Sequence, residues 1–141
     1  MTPDTADMGG PPILVVDDSP TMRGMLQRAL GGAGYEVILA SDGCEALQRL
    51  AHTPVRLILT DINMPRMDGV AFIAAVRRDP RHARTPILAL TTEAEADAKA
   101  AGKAAGATGW MVKPFEPGRL CEVVQAVLGP RTRDAAGPPE T

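Results

Sequence analysis

The sequence predicts an α/β fold in which five parallel strands form one sheet with helices on both faces. Short, continuous apolar runs alternate five times with longer segments whose apolar residues recur at helical spacing, a pattern typical of repeated strand–helix units. Continuous apolar runs also indicate strands that are buried on both sides, as in a parallel sheet. Such strands are joined by right-handed crossovers through the helices. The predicted architecture is therefore a doubly wound, five-stranded parallel sheet.

The apolar runs define the predicted strands, and each is followed by a predicted helix. The strands lie at Pro12–Val16, Tyr35–Ala40, Val55–Thr60, Pro86–Thr91 and Gly109–Val112. The helices lie at Ser19–Leu30, Asp42–Leu50, Val70–Arg77, residues 94–105 and Pro117–Leu128. The spacing of Met22, Leu26 and Leu30 places their side chains on one face of the first helix, which is the face expected to pack on the sheet.

Residues that favour helix ends flank these segments. Ser19-Pro20, Ser41-Asp42 and Asp68-Gly69 precede three of the helices, where side-chain oxygens accept hydrogen bonds from free backbone N–H groups. Glycines follow the helices at Gly31, Gly32, Gly34, Gly106 and Gly129. The fourth helix is rich in alanine but lacks large apolar anchors and contains Gly102. We therefore expect it to pack weakly on the sheet.

Length and composition indicate a single domain between two tails. A chain of 141 residues can bury a core without disulfides, and 45% hydrophobic with 23% charged residues is ordinary for a globular protein. Residues 1–11 and 130–141 are rich in Pro, Gly, Asp and Thr and offer little to bury, so we predict that both tails are disordered. The predicted folded domain spans residues 12–129.

Charge and hydropathy argue against several classes of function. The net charge of −2 gives no basic field for a nucleic-acid backbone. No stretch approaches the roughly 18 to 20 apolar residues of a membrane span, and the first residues do not form a signal peptide, so a cytoplasmic location is predicted. Cys44 and Cys121 fit no metal or redox spacing and are predicted to be reduced. His52 and His82 are isolated in the sequence and are predicted to face solvent.

Charged and hydroxyl side chains follow four of the five predicted strands. They are Asp17 and Asp18 after the first strand, Asp61 after the third, Thr91 at the end of the fourth and Lys113 after the fifth. The carboxyl ends of parallel strands meet at one edge of the sheet, which is where ligands bind in open α/β folds. We therefore expect these five side chains to lie close together.

Three neighbouring carboxylates require a positive partner. Two of them 4 Å apart repel by about 4 kcal/mol at an effective dielectric constant near 20. Oxygen ligands in an acidic pocket suit Mg²⁺, which accepts one or two carboxylates and a phosphate oxygen, and Lys113 adds a permanent cation. A carboxylate in this setting can attack phosphorus and form an acyl phosphate.

Each of these residues also has a simpler interpretation when taken alone. Asp17-Asp18 could be an acidic pair favoured by the dipole of the following helix, and Asp61 could be a turn residue. Lys113 and Thr91 could be solvated residues at strand ends. The prediction of a shared site depends on all of them converging on one edge.

Four motifs carry a resemblance to a known family. The segments VVDDSPTMR, TDINMPRMDG, LALTTEAE and WMVKPF are together highly specific, and the match covers essentially residues 12–129. The chain resembles the receiver domains of the two-component response-regulator superfamily, and among these the short, chemotaxis-type CheY-like proteins. The resemblance implies a flavodoxin-like (βα)5 fold, Mg²⁺-dependent phosphotransfer from a histidine kinase, and output by a surface rearrangement rather than by turnover of a metabolite.

The resemblance also implies a role for each matching position. Asp61 matches the phosphoacceptor. Asp18 matches a direct metal ligand, Asp17 matches the acid that holds metal-bound water, and Asn63 matches the residue whose backbone carbonyl completes the metal shell. Thr91 matches the switch hydroxyl, Lys113 matches its basic partner, and Trp110 matches the switch aromatic. Asn63 and Glu93 match positions that tune hydrolysis of the phosphoryl group. The family usually has Tyr or Phe at the position of Trp110.

The expected function is that of a stand-alone response regulator whose output is a partner protein. The readout face is expected to comprise helix 94–105, the fifth strand and the last helix. We expect a monomer and leave a phosphorylation-dependent dimer open. One alternative is an aspartyl-phosphate phosphatase of haloacid-dehalogenase-like type, although such enzymes carry an Asp-x-Asp nucleophile motif on the first strand. Another alternative is a scaffold that is not phosphorylated.

Overall fold

A computed structural model describes residues 10–62, 64, 67–92, 100, 103–113 and 116–128. Its strands are β1 (Ile13–Val16), β2 (Val37–Ala40), β3 (Leu57–Asp61), β4 (Ile87–Thr92) and β5 (Gly109–Lys113). Its helices are α1 (Pro20–Gly32), α2 (Gly43–His52), α3 (Gly69–Arg78), a 3-10 turn at Pro80–His82 and the C-terminal helix (Pro117–Leu128). All strand pairs are parallel, in the order β2-β1-β3-β4-β5. The predicted doubly wound five-stranded fold is confirmed.

Apolar side chains fill both faces of the sheet and divide the core into two layers. On one face, Leu26 of α1 and Leu120 of the C-terminal helix pack with strand residues such as Leu59. On the other face, Leu50 of α2 and Phe72 of α3 pack in a separate cluster. The sheet is therefore buried on both sides, which explains the continuous apolar runs in its strands.

The three predicted N-terminal helix caps are present, whereas Gly31 and Gly32, predicted to follow the first helix, are its last two residues. Ser19 Oγ accepts from the Met22 N–H at 3.2 Å, and Asp42 Oδ1 accepts from the Glu45 N–H at 2.8 Å. Asp68 Oδ1 caps α3 in the same way through the Ala71 N–H at 2.8 Å. These caps begin each helix immediately after the loop that leaves the carboxyl end of a strand, so they help to set the loop geometry at that edge.

Some predicted element boundaries were wrong for reasons that depend on hydrogen bonding. Tyr35 was predicted to begin the second strand, but its N–H donates to Leu30 O at 3.0 Å and closes α1, so β2 begins at Val37. Asp61 was predicted to follow the third strand, but it is the last residue of β3 and pairs in register with Leu90.

Three further predictions have different outcomes. His82 is 4% exposed, so its predicted exposure was wrong; its Nδ1 lies 3.3 Å from Thr85 Oγ1 within the turn before β4. His52 is exposed as predicted. Most of the predicted tails and of helix 94–105 lie outside the described residues, although Lys103–Ala105 are helical.

The sequence predicts no membrane-spanning segment. Within the described part of the chain, no helix has the length and apolar character needed to cross a bilayer.

Arg77 of α3 forms hydrogen bonds with residues that precede β4 and β5, at the amino ends of the strands. Its guanidinium donates to the carbonyl oxygens of Gly106, His82 and Thr85 at 2.9, 2.9 and 2.7 Å. Gly106 has φ of +120°, and a Cβ built there would lie 2.7 Å from Arg77 Cγ. A glycine is therefore required at 106 both by the backbone conformation and by the space that Arg77 occupies.

We expect Gly106→Ala to lower the free energy of unfolding by about 1–3 kcal/mol, because it adds backbone strain and displaces Arg77. Gly31→Ala is the matched control, since Gly31 is helical and no atom lies within 4 Å of the added Cβ. The control should be neutral or stabilising by up to about 1 kcal/mol. Urea unfolding measures both changes, and equal stability of the two variants would contradict the prediction.

Candidate functional site

Three carboxylates converge at the carboxyl edge of the sheet. One oxygen from each of Asp17, Asp18 and Asp61 lies within 4.8 Å of the others. The strand register explains this, because Val16 of β1 pairs with Thr60 of β3 and the residues that follow lie side by side. Asp17 is fully buried, Asp61 is 6% exposed and Asp18 is exposed. The predicted convergence of these three acids is therefore observed.

Lys113 bridges two of the three acids from the end of β5. Its Nζ lies 3.2 Å from Asp17 Oδ2 and 3.4 Å from Asp61 Oδ2. Burial lowers the pKa of Lys113, but the charges and hydrogen bonds of Asp17 and Asp61 outweigh it, so the pKa lies above the ordinary 10.5. The ammonium group therefore remains charged at neutral pH and offsets part of the negative charge of the acids.

The backbone and side chain of Asp17 are held from several directions. Its N–H donates to Ala40 O of β2 at 3.1 Å, and its Oδ1 accepts from the Ser19 N–H at 2.9 Å. The Arg23 guanidinium donates through Nη1 to the carbonyl oxygen of Asp17 at 2.6 Å. These contacts fix the loop after β1.

The beginning of α3 approaches the end of β3 very closely. The Gly69 N–H donates to Ile62 O at 2.7 Å, and a Cβ at Gly69 would lie 2.6 Å from Ile62 Cα and would also overlap Asp61 O. The hydroxyl of Thr60 donates to the same Asp61 oxygen at 2.9 Å. These contacts set the backbone position from which the Asp61 carboxylate projects.

Thr91 and Trp110 lie on the opposite side of the sheet from Asp61 and Lys113. Side chains alternate between faces along a strand, so Asp61 follows Leu59 toward the α1 face, whereas Thr91 follows Ala89 toward the α2–α3 face. Trp110 pairs in register with Ala89 and shares that face. Thr91 is 1% exposed, and Trp110 is 38% exposed on the edge strand β5.

The structure brings together four of the predicted site residues: Asp17, Asp18, Asp61 and Lys113. Thr91 lies near the carboxyl end of β4, the strand next to β3. Asn63 and Glu93 lie outside the described residues, so their assignments stay predictions. Sequence reasoning missed Arg23 and the close approach of Gly69, and only the Asp68-Gly69 helix start indicated the second of these.

The donor set of this cluster suits a hard divalent cation. Its ligand atoms are carboxylate oxygens at mutual distances that a single ion can span. Asp18 makes no hydrogen bond or ion pair with any residue that the structure describes, so its oxygens are available as ligands. The cluster is thus an acidic pocket that could bind a metal ion.

Comparison with known proteins identifies the family. The model of the response regulator receiver domain matches residues 13–125. The chain belongs to this family. The receiver domain is 40% identical over 119 residues to the chemotaxis protein CheY1 of Helicobacter pylori, covering 83% of this chain and 96% of that protein.

Solved structures agree with this assignment. Chemotaxis response regulator CheY4 of Vibrio cholerae has a TM-score of 0.80 and 47% identity, covering 84% of this chain and 98% of that one. The receiver domain of the sensor histidine kinase PA1611 of Pseudomonas aeruginosa, solved with a magnesium ion coordinated in its active-site cleft, has a TM-score of 0.79 and 30% identity, covering 86% of this chain and 99% of that one. The receiver domain is therefore CheY-like in sequence and in fold.

Family membership establishes the general class of function. Receiver domains are signalling modules of two-component systems, and a CheY-type receiver implies a histidine kinase as phosphodonor and a downstream target. The expectation of a response regulator is confirmed at this level.

The raised pKa of Lys113 predicts a loss of stability at alkaline pH. Because the pKa is higher in the folded than in the unfolded chain, the stabilisation from Lys113 is complete below pH 10.5 and is lost as pH rises through the folded-state pKa. The difference in unfolding free energy between the wild type and Lys113→Met should therefore be constant near neutral pH and should shrink above about pH 10.5.

Urea titrations across this pH range measure that difference. Lys103→Met is the control, because Lys103 is exposed and lies at the amino edge of the sheet, before β5. A difference for Lys113→Met that increases with alkaline pH would contradict the assigned sign.

Proposed function

We propose that the chain is a stand-alone response regulator that accepts a phosphoryl group on Asp61 in a Mg²⁺-dependent reaction and signals to a partner protein. The observation that carries the proposal is the contact of Lys113 with Asp61 beside the three-acid cluster. The likeness to CheY1, of which the chain covers 96%, supports a CheY-type receiver.

The metal assignment follows from the donor atoms. Asp18 and Asp61 would coordinate Mg²⁺ directly, Asp17 would hold a metal-bound water, and the backbone carbonyl of Asn63 is assigned by resemblance alone. Asp17 suits the indirect role because both of its oxygens already accept hydrogen bonds, from Ser19 and Lys113. The magnesium ion in the PA1611 receiver domain supports the choice of metal. Bound Mg²⁺ supplies charge neutralisation for the acids and for incoming phosphoryl oxygens.

The chemistry at Asp61 is a single phosphoryl transfer. A carboxylate oxygen of Asp61 forms the new O–P bond, while the N–P bond to the donor histidine breaks and its electron pair remains on the imidazole nitrogen. Lys113 is near enough to Asp61 to pair with a phosphoryl oxygen. The hydroxyl of Thr91 is assigned to another phosphoryl oxygen, and it would leave the α2–α3 face of the sheet to reach it.

The output is assigned to the face formed by helix 94–105, β5 and the C-terminal helix. β5 is the edge strand next to β4, so Thr91 lies in the row adjacent to Val112. Trp110 lies on the same strand and is the large apolar side chain most exposed among the described residues. Movement of Thr91 would therefore alter packing at a surface that already exposes an apolar group, and Trp110 is assigned as the switch aromatic.

The remaining features of the proposal concern partners and location. The partners are a histidine kinase and a downstream protein, with no direct binding of nucleic acid. In this proposal the protein is a monomer before phosphorylation, and a dimer that forms on phosphorylation is left open. A cytoplasmic location fits the two free cysteines, Cys44 and Cys121.

The phosphatase alternative has less support. In the haloacid-dehalogenase-like pattern the nucleophile lies on the first strand in an Asp-x-Asp motif, whereas here the acids after β1, Asp17 and Asp18, are adjacent and Asp61 lies at the end of β3. Sustained turnover of a phosphomonoester would favour that alternative, whereas a single slow turnover of acetyl phosphate favours the response regulator.

We expect Asp61→Asn to abolish incorporation of acid- and base-labile phosphate from acetyl phosphate and Mg²⁺, because the amide cannot form an acyl phosphate. Radiolabelled phosphate measures the stoichiometry, and circular dichroism checks that the fold is intact. Asp79→Asn is the matched control, because Asp79 lies in the turn before β4, at the other edge of the sheet. Incorporation at the wild-type stoichiometry in Asp61→Asn would refute the assignment.

We expect a phosphoryl mimic to change the amide chemical shifts or exchange rates of residues 93–115, because Thr91 is coupled to β5 through the sheet. The amides of residues 93–115 serve as the readout, and residues 43–52 of α2 serve as an internal control. Unchanged amides throughout 93–115, with Mg²⁺ and the mimic bound, would remove the proposed output face.

A further inference from the structure

Asp18 is a proposed metal ligand whose side chain is not held by contacts with the residues that the structure describes. It is exposed and has no hydrogen-bond or ionic partner among the described residues. Its carboxylate nevertheless lies within 4.8 Å of those of Asp17 and Asp61. Its placement must therefore come from the backbone, which is held at the residues on either side of it.

Arg23 holds both of these neighbours from the first turns of α1. Its side chain donates to the carbonyl oxygen of Asp17 at 2.6 Å. Its backbone N–H donates to the carbonyl oxygen of Ser19 at 2.9 Å as part of the helix. The side-chain contact is not needed to form α1, because Ser19 already caps the helix through the Met22 N–H.

We propose that Arg23 is a positioning residue of the metal site, which fixes the direction in which Asp18 projects. The carbonyl of Asp17 and the N–H of Asp18 belong to one planar peptide unit, so fixing the oxygen fixes the plane and restricts rotation on either side of it. The bond is charge-assisted, and such bonds are about twice as strong as neutral ones. The inference rests on the proposed function, because that function supplies the Mg²⁺ that Asp18 would bind.

The direction in which the Mg²⁺ affinity changes when Arg23 is removed distinguishes a positioning role from a purely electrostatic one. Arg23 is a cation near a cation site, so if charge were its only influence, its removal would strengthen Mg²⁺ binding. If Arg23 orients Asp18, its removal weakens Mg²⁺ binding even though a repulsive charge has been lost. Groups that orient metal ligands change affinity by roughly 10–100-fold when they are removed.

The test compares Arg23→Gln with Arg28→Gln. Both variants remove one positive charge from α1, but Arg28 is exposed, and its guanidinium lies beside Gly24 of α1 rather than against the carbonyl oxygen of Asp17. Isothermal titration calorimetry with MgCl₂ measures the Kd of each folded protein without phosphodonor. Amide exchange at Ser19 is measured in metal-free protein. Arg23→Met, which keeps the aliphatic stem, replaces Arg23→Gln if that variant is poorly folded.

We expect the Kd for Mg²⁺ to rise by roughly tenfold in Arg23→Gln and to change by less than about twofold in Arg28→Gln, where the charge is exposed to solvent and screened by salt. Exchange of the Ser19 amide, which donates to Asp17 Oδ1 at 2.9 Å, should be faster in Arg23→Gln only. An unchanged or lower Kd in Arg23→Gln would overturn the inference. If the wild type itself binds no Mg²⁺ at millimolar concentration, the proposed metal site fails, and Arg23 loses its role with it.

Discussion

The bridge from Lys113 to Asp17 and Asp61 is the interaction on which the rest of the site depends. Asp17 is fully buried, and an uncompensated buried carboxylate is strongly destabilising. The ammonium group lies 3.2 Å from one acid and 3.4 Å from the other, so one positive charge offsets part of the negative charge of both. This compensation is only partial, since three carboxylates face one lysine. The remaining negative charge makes the pocket suitable for a divalent cation.

Strand order makes this bridge possible. Asp17 follows β1 and Asp61 ends β3, and these strands are neighbours, whereas Lys113 ends β5 and is separated from β3 by β4. The lysine side chain crosses the end of β4 to reach both acids. A group that reacts at Asp61 therefore lies beside the end of β4, where Thr91 is buried. In the proposed function this neighbourhood links the chemistry to the α2–α3 face, because Thr91 and Trp110 share that side of the sheet.

The two edges of the sheet are held by different forces. At the carboxyl edge, opposite charges compensate each other, and any change in the charge of Asp61 changes the balance of forces. At the amino edge, Arg77 binds three carbonyl oxygens, and burial lowers the pKa of Arg77. Bonds of that kind do not respond to the charge of a distant acid. In the proposed function, the structure combines an edge that would respond to phosphorylation of Asp61 with an edge that keeps β4 and β5 in register.

The sequence by itself determined the strand–helix alternation, the helix caps and the set of acids that face Lys113. These features depend on local periodicity, on single capping residues such as Asp42, and on the rule that parallel strands end at a common edge. Only the tertiary structure decided that Tyr35 closes α1, that His82 is buried and that Arg23 reaches the carbonyl of Asp17. It also showed that α3 approaches Asp61 too closely for any side chain at Gly69. Such contacts depend on distances between atoms of different elements, which packing sets and no local pattern encodes.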